Sequence, residues 1–256
     1  MRVDWRELPD PVRRAVEART GPVASAVPVA AGTTSPVAVH LRTAGGDLFV
    51  KGVRAGDEQA VWRCRNEERL GPLLPGVAPP VRWLVETAGW VLLGVDWLLG
   101  RPANLAPGSP DLPLVAAAVQ RVAELGTPCP GRWLPLAQRW RADLADGDTL
   151  VHTDLAADNI LITGDGPRII DWAWPARGPA WADTAMLIPR LIRAGHTPAE
   201  AERWAAAVPA WRDANPGEVT AFAQARTAPM SRYQDPHPQI AALAAATGAW
   251  RDHRTT

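Results

Sequence analysis

The sequence has few of the residues that mark several classes of protein. Its two cysteines, Cys64 and Cys129, form neither a CxxC pair nor a cluster with histidine, so neither a zinc site nor a disulfide scaffold is indicated. It has no net charge, because 27 acidic residues balance 27 basic ones, and it lacks the surplus of cations that a nucleic-acid binder needs. We therefore expect no nucleic-acid partner and no polybasic attachment to a membrane surface.

Long apolar runs are also missing. The most apolar stretch, Trp90–Gly100, contains Asp96 and is too short to cross a bilayer. The first ten residues are charged and polar and do not have the apolar core of a signal peptide. We expect a soluble protein of the reducing cytoplasm. With 256 residues, of which 47% are apolar, the chain can form one large domain or two small lobes.

Lysine is the scarcest charged residue, because Lys51 is the only lysine among the 27 basic residues. A coding bias that replaces lysine with arginine explains the general pattern, and the survival of one lysine is open to two interpretations. Either Lys51 survives by chance, or its position needs a compact ammonium group, which the planar guanidinium of arginine does not replace.

The two halves of the chain differ in pattern. Alternating residues predict strands over Val37–Thr43 and Asp47–Val53, joined by a glycine turn, followed by a helix from Gly56 to Leu70 and two more apolar strands that end near Leu93. The second half is mostly helical, and Thr197 begins a capping box. Its predicted helices are Asp111–Leu125, Leu134–Ala145, Trp181–Ala194, Glu218–Arg226, Gln239–Trp250 and one that starts at 197. We expect a small lobe over 1–93, a hinge over 94–100 and a second lobe over 101–256.

One predicted hairpin lies within the helical half. Its strands are Asn159–Thr163 and Arg168–Asp171, separated by the turn sequence Gly164–Pro167. In this pairing Ile160 faces Asp171, so the side chains of Asn159 and Asp171 emerge together at the open end. An amide oxygen and a carboxylate are hard ligands that suit Mg²⁺. Asp154, five residues before Asn159, lies on the loop that leads into the same strand.

The segment Val151–Trp172, VHTDLAADNILITGDGPRIIDW, resembles the catalytic and metal loops of the aminoglycoside phosphotransferase family, which shares the protein-kinase-like fold. The resemblance implies a two-lobed α/β fold with a small antiparallel N-terminal sheet and a mostly helical C-terminal lobe. It implies that Asp154 is the base, that Asn159 and Asp171 hold Mg²⁺ and that the phosphate donor is ATP. His152 would brace the loop, and Asp183 would anchor it.

The resemblance also implies that Lys51 contacts the nucleotide phosphates and pairs with a helix glutamate. Glu67 is the preferred partner, because it lies near the middle of the inward face of the predicted helix, and Glu68 is the second choice. A phosphate loop is expected just before the first hairpin strand. It has one glycine and three hydroxyl residues, which we assign to nucleotide binding: Gly32, Thr33, Thr34 and Ser35.

The expected function is Mg²⁺-dependent transfer of the γ-phosphoryl group of ATP to a hydroxyl of a small molecule, either an antibiotic such as an aminoglycoside or a metabolite. From Trp172 onward nine arginines outnumber seven acidic residues, which weakly disfavours a strongly cationic acceptor. The alternative is a nucleotide-binding pseudokinase or regulatory module without turnover. A metal-dependent phosphoester hydrolase is a third hypothesis, but it leaves Lys51 unexplained.

Overall fold

A computed structural model describes residues 2–30, 35–230 and 238–256, with side chains except those of 227–230. Of the predicted phosphate loop, Gly32, Thr33 and Thr34 lie outside the described residues. The chain forms two compact units. One consists of the described part of Met1–Leu99 together with Asp171–Ala173, and the other consists of the described parts of Gly100–Ile170 and Trp174–Thr256.

The first unit is built on a five-stranded antiparallel sheet with the strand order β1-β2-β3-β5-β4. The predicted hairpin, helix and following strands are all present, whereas the first helix and first strand were not predicted. In chain order the elements are a 3₁₀ turn Trp5–Glu7, α1 Asp10–Thr20, β1 Val23–Pro28, β2 Val37–Thr43, β3 Gly46–Arg54, α2 Glu58–Leu70, a 3₁₀ turn Gly71–Leu73, β4 Val81–Thr87 and β5 Trp90–Asp96.

Strand β3 occupies the centre of this sheet, and its residues alternate between two buried faces. Val50 packs in a cluster with α1 residues such as Val12, while Val53 packs in a second cluster with Cys64 of α2. Lys51 pairs with Ala38 on one side and Leu93 on the other. Because strand side chains alternate with a period of two, Lys51 lies on the same face as Val53, which α2 covers.

The second unit is mostly helical and has two small sheets, β6-β8-β9 and β10-β7. Its elements are β6 Gly100–Pro102, α3 Leu112–Leu125, α4 Leu136–Trp140, β7 Thr149–Val151, a 3₁₀ turn Ala157–Asn159, β8 Ile160–Thr163, β9 Gly166–Ile169, β10 Ala176–Gly178, α5 Ala182–Arg193, α6 Pro198–Ala205, α7 Pro209–Arg212, α8 Pro216–Met230 and α9 Pro238–Thr255. None of the described helices has both the length and the apolar composition needed to span a membrane.

Two helix predictions in this unit had different outcomes. The capping box at Thr197 is formed, because its side chain accepts the N–H of Glu200 while the Glu200 carboxylate accepts the N–H of Thr197. The helix predicted over Leu134–Ala145 was too long, since α4 ends at Trp140. Arg141 takes a left-handed conformation with φ 53°, which interrupts the helical hydrogen-bond ladder.

The register predicted for the hairpin was wrong. Thr163 pairs with Gly166, so the turn is the two residues Gly164 and Asp165, and Ile160 faces Ile169 rather than Asp171. Gly166 has φ 103°, a conformation that glycine adopts readily and that closes the shorter turn. The ladder therefore ends before Asp171, which has a left-handed φ of 63°.

An aromatic cluster forms part of the core of the second unit. The ring of Phe222 on α8 lies 5.0 Å from that of Trp140, 5.3 Å from that of Trp181 and 6.5 Å from that of Trp250. Burial of such large side chains is a major part of core stability. This packing fixes the face of α8 that points inward.

Candidate active site

The only lysine of the chain lies at the centre of a buried charged group in the first unit. Lys51 Nζ donates to Glu67 Oε1, and it lies 3.2 Å from Asp171 Oδ1. The Lys51 and Glu67 side chains are only 12% and 11% exposed, whereas that of Asp171 is 47% exposed. The structure thus brings together three of the predicted site residues, and Lys51 pairs with Glu67 rather than Glu68.

The local sequence explains why this pair forms. Asp57 caps α2 by accepting the N–H of Ala60 at 2.9 Å, and the helix then places Cys64 and Glu67 three residues apart on its buried side. Cys64 is buried, and its packing against the sheet leaves the adjacent turn of the helix facing Lys51. Burying a cation or a carboxylate away from water is costly unless the two charges are paired with each other.

Burial and pairing shift the pKa values of Lys51 and Glu67 in opposite directions. Burial by itself lowers the pKa of Lys51, but the carboxylates of Glu67 and Asp171 outweigh it and raise that pKa above the ordinary value for lysine. Burial raises the pKa of Glu67 to about 7, although Lys51 opposes this change. Lys51 is therefore a permanently charged ammonium at neutral pH.

Asp154 lies on a loop of the second unit that follows β7, and His152 holds this loop from inside. His152 is 1% exposed. Its Nδ1 accepts the N–H of Asp154 at 3.2 Å, so its Nε2 is the donor to the carbonyl oxygen of Ile170 at 3.0 Å. Both ring nitrogens of His152 therefore brace the loop, while the Asp154 side chain is 51% exposed.

The side chain of Asp183 anchors the backbone of the same loop. Its two carboxylate oxygens accept the N–H groups of His152 at 2.7 Å and Thr153 at 3.0 Å. Burial raises the pKa of Asp183, while His152 and the two N–H groups act in the opposite direction. Thr153 has φ 71°, a left-handed conformation that costs a residue with a side chain about 1–2 kcal/mol. The contacts with Asp183 hold this strained residue in place.

Two arginines that sequence reasoning missed complete the support of this loop. Arg190 Nη2 donates to Asp154 Oδ1 at 2.6 Å. Arg139 donates to the Thr153 hydroxyl at 3.1 Å and to the carbonyl oxygens of Trp174 and Pro175, and burial lowers its pKa to about 10. One signal for Arg190 was present in the sequence, because it follows Asp183 by seven residues and so lies on the same face of α5.

The predicted metal ligands are Asn159 and Asp171. Asn159 Nδ2 donates to the carbonyl oxygen of Asp154 at 2.8 Å, which leaves its Oδ1 as a potential metal ligand. Ile170, the residue before Asp171, donates its N–H to the carbonyl oxygen of Asn159 at 2.9 Å. Among the described residues there is no cluster of three or more His, Cys, Asp or Glu side chains that could hold a metal. One amide and one carboxylate fit Mg²⁺, which takes few protein ligands and fills its shell with water and phosphate.

Ser35 is the only member of the predicted phosphate loop within the described part of the chain. Its carbonyl oxygen accepts a hydrogen bond from Arg2 Nη1 at 3.2 Å. This contact ties the loop end to the N-terminal segment. The assignment of Gly32, Thr33, Thr34 and Ser35 to nucleotide binding stays a prediction.

Part of the chain matches a known protein family. Residues 100–216 match the sequence model described as the phosphotransferase enzyme family. No curated protein sequence matches the chain significantly. This family match bears out the predicted class, an enzyme of the small-molecule phosphotransferase type.

Solved structures share the fold over nearly the whole chain. Choline kinase LicA from Streptococcus pneumoniae has a TM-score of 0.65 at 13% identity, covering 94% of this chain and 98% of its own. The microcompartment-associated aminopropanol kinase has a TM-score of 0.67 at 12% identity, covering 95% of each chain. A thermostable mutant of aminoglycoside phosphotransferase APH(4)-Ia, in a ternary complex with ADP and hygromycin B, has a TM-score of 0.60 at 12% identity, covering 95% of this chain and 98% of its own. The predicted fold class and the resemblance to the aminoglycoside phosphotransferase family are confirmed.

Proposed function

We propose that the protein transfers the γ-phosphoryl group of ATP to a hydroxyl of a small molecule, with Mg²⁺ as cofactor and Asp154 as base. The observation that carries the proposal is the contact of the only lysine with both Glu67 and Asp171. A lysine fixed by a glutamate and a carboxylate suited to Mg²⁺ are the elements that position a nucleoside triphosphate in kinase-like enzymes.

The proposed roles follow from the chemistry of each group. The ammonium of Lys51 binds phosphate oxygens of ATP, and Glu67 keeps it in position. Asn159 and Asp171 would hold Mg²⁺, which neutralises charge on the phosphates when it is bound. Nucleotides bound to relatives of the same fold, such as ADP in APH(4)-Ia, support the choice of a nucleotide donor.

Asp154 acts on the acceptor. Its exposed carboxylate accepts a hydrogen bond from the acceptor hydroxyl and takes the proton as the oxygen attacks the γ-phosphorus. The new P–O bond forms to the acceptor oxygen, the bond to the β-phosphate oxygen breaks, and ADP leaves. Positioning and charge neutralisation supply most of the rate acceleration in such transfers.

The direct test is incubation with ATP, Mg²⁺ and a panel of hydroxylated compounds, followed by mass spectrometry. We expect one class of acceptor to gain the mass of one phosphate and ADP to form in equal amount. Asp154→Asn should lower kcat by about two to four orders of magnitude, the typical contribution of a general base. Asp158→Asn is the matched control, because Asp158 is an exposed acid in the same loop. Tight nucleotide binding with no turnover on any acceptor would instead favour the regulatory module.

A further inference from the structure

The short segment Asp171–Ala173 belongs to the first unit, although it is far from the rest of that unit in the sequence. Trp172 and Ala173 are 2% and 5% exposed, so the segment is buried apart from the side chain of Asp171. The left-handed φ of Asp171, 63°, is unfavourable for a residue with a side chain. Such a conformation persists only where the surrounding contacts hold it.

Helix α2 holds this segment at two points. Glu67 fixes Lys51, whose Nζ lies 3.2 Å from Asp171 Oδ1. The preceding residue, Asn66, is 2% exposed, and its Nδ2 donates to the carbonyl oxygen of Ala173 at 3.1 Å. The first contact acts on the side chain of Asp171, and the second acts on the backbone two residues later.

The role of Asn66 is not explained by the helix that carries it. Asparagine is a weak helix former, and Asn66 lies within α2, Glu58–Leu70, rather than at an end that it could cap. A buried amide is also costly unless it is hydrogen-bonded. Its bond to Ala173 spans 107 positions, so it joins α2 to a distant part of the chain instead of stabilising the helix.

We propose, resting on the phosphotransferase function above, that Asn66 is a positioning residue for Asp171. By holding the carbonyl group of Ala173, it keeps Asp171 in the backbone conformation in which its carboxylate would bind Mg²⁺. Because Asn66 and Glu67 are adjacent on one helix, α2 positions the phosphate-binding lysine and the proposed metal ligand together. Asn66 itself contacts neither metal nor nucleotide in this role.

The first test compares nucleotide binding with and without metal. Calorimetry measures binding of a non-hydrolysable ATP analogue to the full-length protein, first in excess EDTA and then at a series of Mn²⁺ concentrations. Mn²⁺ stands in for Mg²⁺, because the same oxygen ligands suit both ions. In Asn66→Leu, which keeps the size of the side chain without its donor, we expect the half-saturating Mn²⁺ concentration to rise about tenfold, as is typical when a group that supports a metal ligand is lost. The Kd for the analogue in EDTA should stay unchanged.

Matched variants separate positioning from a general loss of stability. Val61→Ala is the control, because Val61 is a buried residue of the same helix and packs in the cluster with Val53 and Val91. It should destabilise the fold and leave the half-saturating Mn²⁺ concentration unchanged. Asn66→Gln keeps an amide donor and should retain most of the metal affinity. If Asn66→Leu does not fold by circular dichroism, Asn66→Ser replaces it, because its shorter side chain does not reach the carbonyl oxygen of Ala173.

Hydrogen exchange gives a second readout, which needs neither metal nor nucleotide. Mass spectrometry follows the exchange of a peptide that contains residues 171–173 in the full-length protein. We expect faster exchange of this peptide in Asn66→Leu than in wild type or Val61→Ala, because local opening of a segment depends on the contacts that hold it.

The failures of the two proposals are distinguishable. If the ATP analogue does not bind wild type in EDTA or in Mn²⁺, the phosphotransferase function is overturned, and faster exchange in Asn66→Leu would still support the positioning of Asp171 by Asn66. Equal half-saturating Mn²⁺ concentrations in Asn66→Leu and wild type, or an equal rise in Val61→Ala, overturn the role of Asn66 even when the analogue binds normally. Unchanged exchange of the segment overturns it whether or not nucleotide binds.

Discussion

Replacing Glu67 with glutamine tests the buried charged group most directly. The substitution keeps the shape and one acceptor oxygen but removes the negative charge that faces Lys51. Breaking a buried ion pair by removing one partner costs about 3–5 kcal/mol when nothing compensates. Here Asp171 remains 3.2 Å from Lys51 Nζ and the Gln oxygen still accepts, so we expect the free energy of unfolding to fall by about 2 kcal/mol.

The same substitution should weaken nucleotide binding. With less to hold it, the Lys51 ammonium is free to turn toward Asp171, and we expect the Kd for ATP to rise about tenfold, equivalent to about 1.4 kcal/mol. Urea unfolding and equilibrium titration with nucleotide measure the two effects. Glu68→Gln is the matched control on the next residue and should change stability by no more than about 0.5 kcal/mol. Equal effects of the two substitutions, or a larger effect of Glu68→Gln, would refute the assignment of Glu67 as partner.

Three other predictions address the second unit and the metal. In Asp183→Asn the side chain can accept only one of the two loop N–H groups, so the free energy of unfolding should fall by about 1–3 kcal/mol. We expect kcat to fall at least tenfold while the Kd for ATP stays unchanged. A wild-type kcat in this variant would contradict the anchoring role. Arg101 and the Asn104 N–H lower the pKa of Asp111 to about 2, so Asp111 stabilises the fold above its ordinary pKa, and this stability is lost as the pH falls from about 4 to 2. Over that pH range the free energy of unfolding should change by about 2 kcal/mol less in Asp111→Asn than in wild type, as measured by unfolding at a series of pH values. Identical curves for the two proteins would count against this role of Asp111. Chelation with EDTA should abolish phosphoryl transfer and restoration of Mg²⁺ should recover it, whereas full activity in excess EDTA would exclude the proposed cofactor.

Much of the fold followed from local patterns. Alternation with a glycine turn predicted β2 and β3, a capping box predicted the start of α6, and amphipathic periodicity predicted α3 and α5 close to their observed bounds. Near neighbours in the chain determine such elements. The same reasoning missed β1. It also missed the short strands β6, β7 and β10, because strands of three residues carry too little pattern to recognise.

The hairpin register shows where local reasoning failed within the site. Its sequence permits turns of different length, and the pairing of Thr163 with Gly166 selected the shorter one. That choice moved Asp171 out of the ladder and into a left-handed conformation. A change of two residues in register therefore altered the position of a predicted metal ligand without altering the motif.

By itself, the sequence determined which residues carry the proposed chemistry, because their types and spacings are legible in VHTDLAADNILITGDGPRIIDW and in the single lysine. Only the tertiary structure decided what surrounds them. Arg190 meets Asp154 across 36 positions, and Asp183 meets the N–H group of His152 across 31. Such contacts depend on how α5 packs against the loop, and packing is determined by the whole apolar core rather than by the neighbours of any one residue.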